Sequence, residues 1–172
     1  MNDSEPPSAR KLSHISDDGQ ASMVDVGQKD PTRRTALAEA WVDVGPEIAL
    51  MLRTSGAVAK GNVLETARVA GIMAAKRTGD LIPMCHPLGL DVVEIDAELV
   101  DDRVHLVARA VCHGKTGVEM EAMTAVSVAA LTVYDMVKSA GKGVEIGPIR
   151  LLEKSGGKSG HWRRAENDDG NG

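Results

Sequence analysis

Phenylalanine is absent from the 172-residue chain, and aromatic side chains make up only 2% of it: Trp41, Trp162 and Tyr134. The core must therefore be aliphatic, built from Val, Ala, Leu, Ile and Met. Proteins that grip single-stranded nucleic acid stack bases on aromatic rings, and few rings are on offer here. Positive charge is also in short supply. Twenty Lys and Arg against 25 Asp and Glu leave a formal charge of −5, the reverse of a general phosphate-backbone binder. Bulk nucleic-acid binding is excluded, although a local cationic pocket is not. Only two cysteines occur, Cys85 and Cys112, and no signal peptide is evident, which points to a reducing cytoplasm. No apolar run reaches the roughly 20 residues that cross a bilayer, so no membrane partner is expected.

What is present suits one domain. A chain of this length buries roughly 70% of the surface it exposes unfolded and needs neither disulfide nor structural metal. Residues 1–12 and 161–172 are polar, charged or Gly/Asn-rich and read as disordered tails around a single domain over 13–160. Within it, Met23–Val26 reads as a short strand and Thr35–Val44 as a longer one. Pro46 suits the first turn of a helix running through Leu52.

Asn62 followed by Glu65 has the spacing of a helix start. Val63, Ala67, Ala70 and Ala74 then recur on one face, and Gly79 offers a stop. That face is dominated by Ala and Gly71, so whatever packs on it approaches closely. Val93, Ile95, Ala97 and Leu99, then Val104, Leu106, Ala108, Ala110 and Cys112, alternate with polar residues around Asp101-Asp102, the pattern of an antiparallel hairpin. Thr116 and Glu119 have capping-box spacing for a long helix to about Ala140, and a last strand covers Val144–Leu152. The order reduces to β-α-β-β-α-β, a ferredoxin-like α+β split β-α-β with an antiparallel sheet and helices on one face.

Several segments carry chemistry. Gly114-Lys115-Thr116 between a strand and a helix resembles a phosphate-binding loop, but Arg109 stands where the full pattern needs Gly; anion site and plain tight turn are both open. Cys85-His86 and Cys112-His113 lack C-x-x-C spacing, and neighbours on a strand face opposite ways, so no metal site is expected. His86 sits between Pro83 and Pro87, which stiffen the loop around it. Lys60, just ahead of the Asn62 cap, lies at the positive end of a helix dipole, where burial would lower its pKa and suit it to proton transfer; the alternative is an ordinary surface lysine.

On the long helix, Glu121, Asp135 and Lys138 share one face. Asp135 interrupts an apolar run and needs a partner, which Lys138 at i+3 supplies. Glu121 lies roughly 21 Å away along the axis. Either the two acids serve different sites, or two chains share one. Lys154 and Lys158 flank Ser-Gly-Gly, a clamp for a di- or triphosphate or else a basic linker.

Taken together, the runs at 60–72, 74–78, 81–88, 114–122, 134–138 and 154–160, with Leu-Ser-His-Ile and Met-Val-Asp-Val before them, strongly resemble the MoaC family of molybdenum cofactor biosynthesis. The resemblance spans Leu12 to Gly160, with Gly79 and Gly89 standing where bulkier residues are familiar. It implies a lyase that converts 3′,8-cyclo-7,8-dihydro-GTP into cyclic pyranopterin monophosphate and releases pyrophosphate. It also implies homohexamers, as trimers of dimers, with active sites at dimer interfaces. Carried over by motif, Asp135, Lys60 and Lys138 are the catalytic residues. Met84, Cys85, His86, Met120 and Glu121 match substrate-contacting segments, with Glu119, Lys115, Lys154 and Lys158 as further substrate-binding candidates. No metal or other cofactor is expected in this chemistry. A non-catalytic nucleotide-binding module of the same fold, or a zinc-binding assembly protein, would be the rival readings.

Overall fold

The computed structural model describes residues 19–165 apart from 56, 59, 60 and 159. Its first strand, β1 (Thr32–Asp43), buries Ala36, Ala38, Ala40 and Val42 on one face. Gly45 then turns the chain, its N–H donating to the Asp43 carboxylate at 3.1 Å, into α1 (Gly45–Ser55) with Pro46 in its first turn. Two-residue strands β2 (Ala57–Val58) and β3 (Gly61–Asn62) pair with each other. They lead into α2 (Val63–Ala75), whose Asn62 cap accepts the Glu65 N–H at 3.1 Å. A short α3 (Thr78–Leu81) follows.

Strands β4 (Val92–Val100) and β5 (Arg103–Gly114) form the expected hairpin, with Asp101 in the left-handed region at φ 50°. The long helix α4 (Glu119–Val137) then crosses back over the sheet, and β6 (Glu145–Ser155) and β7 (Trp162–Arg163) complete it.

The five strands lie in the order β4-β5-β1-β6-β7, with every pairing antiparallel. Sequence-distant β1 is central because its small residues let α4 sit closely over it. The split β-α-β arrangement is the ferredoxin-like one. By length and composition α4, 19 residues long with a mean hydropathy of 1.3 over an 18-residue window, could cross a membrane. Here it is the core helix, with Ala122, Ala125, Val126, Ala129, Ala130, Val133 and Val137 buried against the sheet and α2.

Four local expectations are corrected. Met23–Val26 forms no strand; it joins neither open edge of the sheet, and Val24 and Val26 instead wall a cavity beside α4. Gly79 does not stop α2, which ends at Ala75, but lies within α3. A side chain there would press on Pro87, with a Cβ 3.1 Å from its Cα. Thr116 does not cap α4: Val118 holds the N-cap position without a side-chain cap, and the helix ends at Val137 rather than Ala140. Finally, Trp162–Arg163, read as the start of a tail, is a strand whose pairing with Glu153 and Lys154 gives its backbone groups partners.

Candidate functional site

Two cavities open side by side at the N-terminal end of α4. The larger, about 640 Å³, lies between the 115–119 turn and the 154–158 turn, and its walls include Lys29, Arg34, Lys115, Glu119, Lys154 and Lys158. The smaller, about 380 Å³, is bounded by Met84, Cys85, His86, Met120 and Glu121. Lys29, Thr116, Gly117 and Glu119 belong to both, so they are two chambers of one cleft. Every substrate-binding residue expected from the sequence lines one chamber or the other.

The larger chamber is cationic and organised. Lys154 Nζ donates to the Glu119 carboxylate at 2.7 Å. The acid expected to complete a capping box instead ties α4 to β6. Lys115 Nζ reaches the Gly27 carbonyl at 2.6 Å. Arg34 donates through Nε to the Gly114 carbonyl at 2.9 Å and through Nη2 to that of Lys115 at 3.2 Å. Its guanidinium lies against Gly157, where a Cβ would come within 2.9 Å of Cζ. One arginine thus sets both lysine-bearing turns. Thr32 Oγ1, also in the wall, is buried without a hydrogen-bond partner among the described residues, a cost a bound ligand would relieve.

In the smaller chamber, burial works against ionisation of Glu121 and Cys85. Glu121 is buried, and that burial pushes its carboxyl above the ordinary range; the charge of Glu119 adds to this and a backbone hydrogen bond opposes it. Burial likewise raises the Cys85 thiol, helped by the Glu121 charge. Cys112, on the floor of the sheet, is raised for the same two leading reasons. Both cysteines are free thiols. Among the described residues, no group of three or more His, Cys, Asp and Glu side chains is placed to hold a metal.

Asp135 and Lys138 are not part of this cleft. They form an i,i+3 ion pair at 2.5 Å near the other end of α4, with both side chains more than half exposed. The hydrogen bond and charge of Asp135 raise the Lys138 pKa. Lys60 lies outside the described residues.

Sequence reasoning missed Lys29 and Arg34. Arg34 had a signal: it shares the parity of Ala36, Ala38 and Ala40 on β1, and a cation on an apolar stripe needs a purpose. Lys29 had none, since a lysine in a polar loop is the commonest kind.

With that geometry in view, comparison with known proteins is decisive. The family model described as MoaC family matches residues 23–157. The chain belongs to the MoaC family. It is 54% identical over 160 residues to the cyclic pyranopterin monophosphate synthase of Streptomyces avermitilis, covering 93% of this chain and 94% of that one. The synthase of the same name from Novosphingobium aromaticivorans is 55% identical over 155 residues, 90% of this chain and 98% of its own. That of Brucella ovis is 56% identical over 154 residues, 88% and 93% of the two. The MoaC match thus takes in the smaller chamber, the larger one apart from Lys158, and the whole of α4.

Proposed function

We propose that this MoaC-family chain is a cyclic pyranopterin monophosphate synthase of molybdenum cofactor biosynthesis. It takes 3′,8-cyclo-7,8-dihydro-GTP and releases pyrophosphate as the cyclic phosphate closes. The observation that carries this reading is the two-chambered cleft. Four lysines and Arg34 surround the larger chamber, against Glu119 and Asp30, and suit a triphosphate whose charge must be held while pyrophosphate departs. The adjoining chamber, with no Phe, Tyr or Trp in its walls, grips the purine-derived rings through His86, the Cys85 thiol, Glu121 and backbone groups.

Proton transfer during ring opening and reclosure falls to Asp135, Lys138 and Lys60. Asp135 is 14 residues beyond Glu121 on α4, roughly 21 Å along its axis, too far for one small substrate to touch both in one chain. The reading therefore requires Asp135 and Lys138 of one subunit to meet the cleft of another, as in a homohexamer built as a trimer of dimers. Two free thiols and the shared biosynthetic family support a cytoplasmic location.

The test is to incubate the purified chain with fresh 3′,8-cyclo-7,8-dihydro-GTP and with GTP, and to measure pyrophosphate and cyclic pyranopterin monophosphate. Both products from the cyclic substrate and neither from GTP are expected. A folded oligomer that turns over neither would overturn the reading.

A further inference from the structure

A chamber suited to phosphates carries an anion of its own. The Glu119 carboxylate stands in the wall common to both chambers, and its Oε1 accepts Lys154 Nζ at 2.7 Å, with 28% and 31% of the two side chains exposed. Lys115 Nζ, in the same larger chamber, is held instead by the Gly27 carbonyl, which has no net charge. The resting place of the carboxylate is built for it. A Cβ on Gly117 would overlap Glu119 Oε2 and lie 2.6 Å from its Cδ. Gly117 is not among the glycines with positive φ, so what glycine supplies there is space.

The two partners differ in freedom. Lys154 belongs to β6 and pairs in register with Ala36 on β1 and with Trp162 on β7, so its backbone is fixed on both sides. Glu119 is the first residue of α4, and its carboxylate is the free end of a flexible side chain. We propose that Glu119 is a resident counter-ion that keeps the place of a phosphate on Lys154: substrate displaces it, and it returns to the ammonium as pyrophosphate leaves. This role rests on the synthase reading only in seating the phosphates in the larger chamber.

A phosphate displaces a carboxylate from an ammonium because it brings more charge and more acceptor oxygens. Pyrophosphate carries the same phosphoryl oxygens that anchor the substrate. A cleft of cations alone would hold product as firmly as substrate, binding that does not speed the chemical step and that slows product release, the limiting step in many enzymes. A carboxylate already beside Lys154 refills the ammonium at once and weakens that hold. Glu119 acts through Lys154 and is a positioning residue.

The probe is inorganic pyrophosphate, titrated calorimetrically into the full-length protein. Glu119→Gln should bind it at least about tenfold more tightly than the parent, the scale of one hydrogen bond to a charged group, with the far-UV spectrum and oligomer mass unchanged. Loss of a merely structural contact would weaken binding. In a Lys154→Met background the same change should gain no more than roughly twofold, since the two effects are coupled. Gly117→Ala, whose methyl takes the resting place of the carboxylate, serves if the glutamine variant does not fold; a severalfold gain is expected. Equal or weaker binding by Glu119→Gln, or a gain as large without Lys154, would overturn the proposal. Binding is read without turnover, so tighter binding by a chain that makes no cyclic pyranopterin monophosphate would sink the synthase reading alone.

Discussion

At Glu121, burial and the neighbouring charge of Glu119 outweigh the backbone hydrogen bond that would favour ionisation. The folded carboxyl therefore binds its proton more tightly than the unfolded one. Its contribution to stability is fully present below the unfolded value of about 4.3 and is lost as pH rises through the higher folded value. Glu121→Gln keeps the shape without the charge, so the variant should melt above the parent at pH 8, and the gap should close below about pH 4. Thermal unfolding across that range measures it; a variant melting lower at pH 8 would mean the carboxylate is stabilised rather than penalised. The same variant should turn over at least tenfold more slowly, because an amide does not present the substrate with the carboxyl group's hydrogen-bonding pattern.

Glu39 shows the opposite balance on the sheet face away from the helices. Burial works against its ionisation, but hydrogen bonds from Arg150 and His105, and their charges, outweigh it and hold the carboxyl below the ordinary range. Here the stability is present above the unfolded value and lost as pH falls through the lower folded one. Glu39→Gln should cost about 1–3 kcal/mol at pH 7, the range for a buried hydrogen-bonded group deprived of its partner. Its loss of stability on acidification should be shallower than the parent's. Urea denaturation at pH 7 and at pH 3.5 compares the two, and parallel acid curves would remove Glu39 from the account.

Among the elements, the α2–α4 contact is the most demanding. A Cβ on Gly71 would lie 2.7 Å from the Ala125 carbonyl oxygen and overlap Ile95 Cδ1. In an exposed helix, Gly to Ala gains up to about 1 kcal/mol. Here the added methyl meets another helix's backbone, and overpacking of that kind costs about 1–3 kcal/mol. Gly71→Ala should therefore destabilise, read as a lower urea midpoint with unchanged slope. A stabilised variant would show that the helices separate without penalty. β6 is the second demanding element, since it supplies Lys154 to the cleft and Arg150 to Glu39.

For the whole molecule, the position of Asp135 and Lys138 decides how a site is assembled. If the cleft of one subunit uses the Asp135 of another, chains carrying Glu121→Gln and chains carrying Asp135→Asn are each nearly inactive alone. Unfolded together and reassembled, they form mixed dimers in which one of the two sites is intact. Random pairing should then restore about one quarter of the parental rate, as expected of a two-fold interface. Mixtures no more active than the separate variants would show that each chain works alone.

The periodicities determined most of the fold. Alternation along 93–112 gave the hairpin because one face of that sheet is buried and a one-residue slip would turn every side chain the wrong way. The Asn62 cap and the Ala-rich face of α2 were legible because they are local. What failed was also local in form but decided elsewhere. Thr116 and Glu119 had the spacing of a capping box, yet Lys154, 35 residues beyond, claims the Glu119 carboxylate. Met23–Val26 had strand composition, yet it joins neither open edge of the sheet.

The site divides in the same way. Met84–His86, Glu119–Glu121 and the lysines stood out as short runs with chemical character, whereas Arg34 acquires its purpose only when β1 places it between two turns separated by about 40 residues. Sequence by itself determined which residue types were available and which faces they occupied. Only the tertiary structure decided which charges meet, because a carboxylate's partner is whichever cation the packed sheet brings within 3 Å, whatever its distance along the chain.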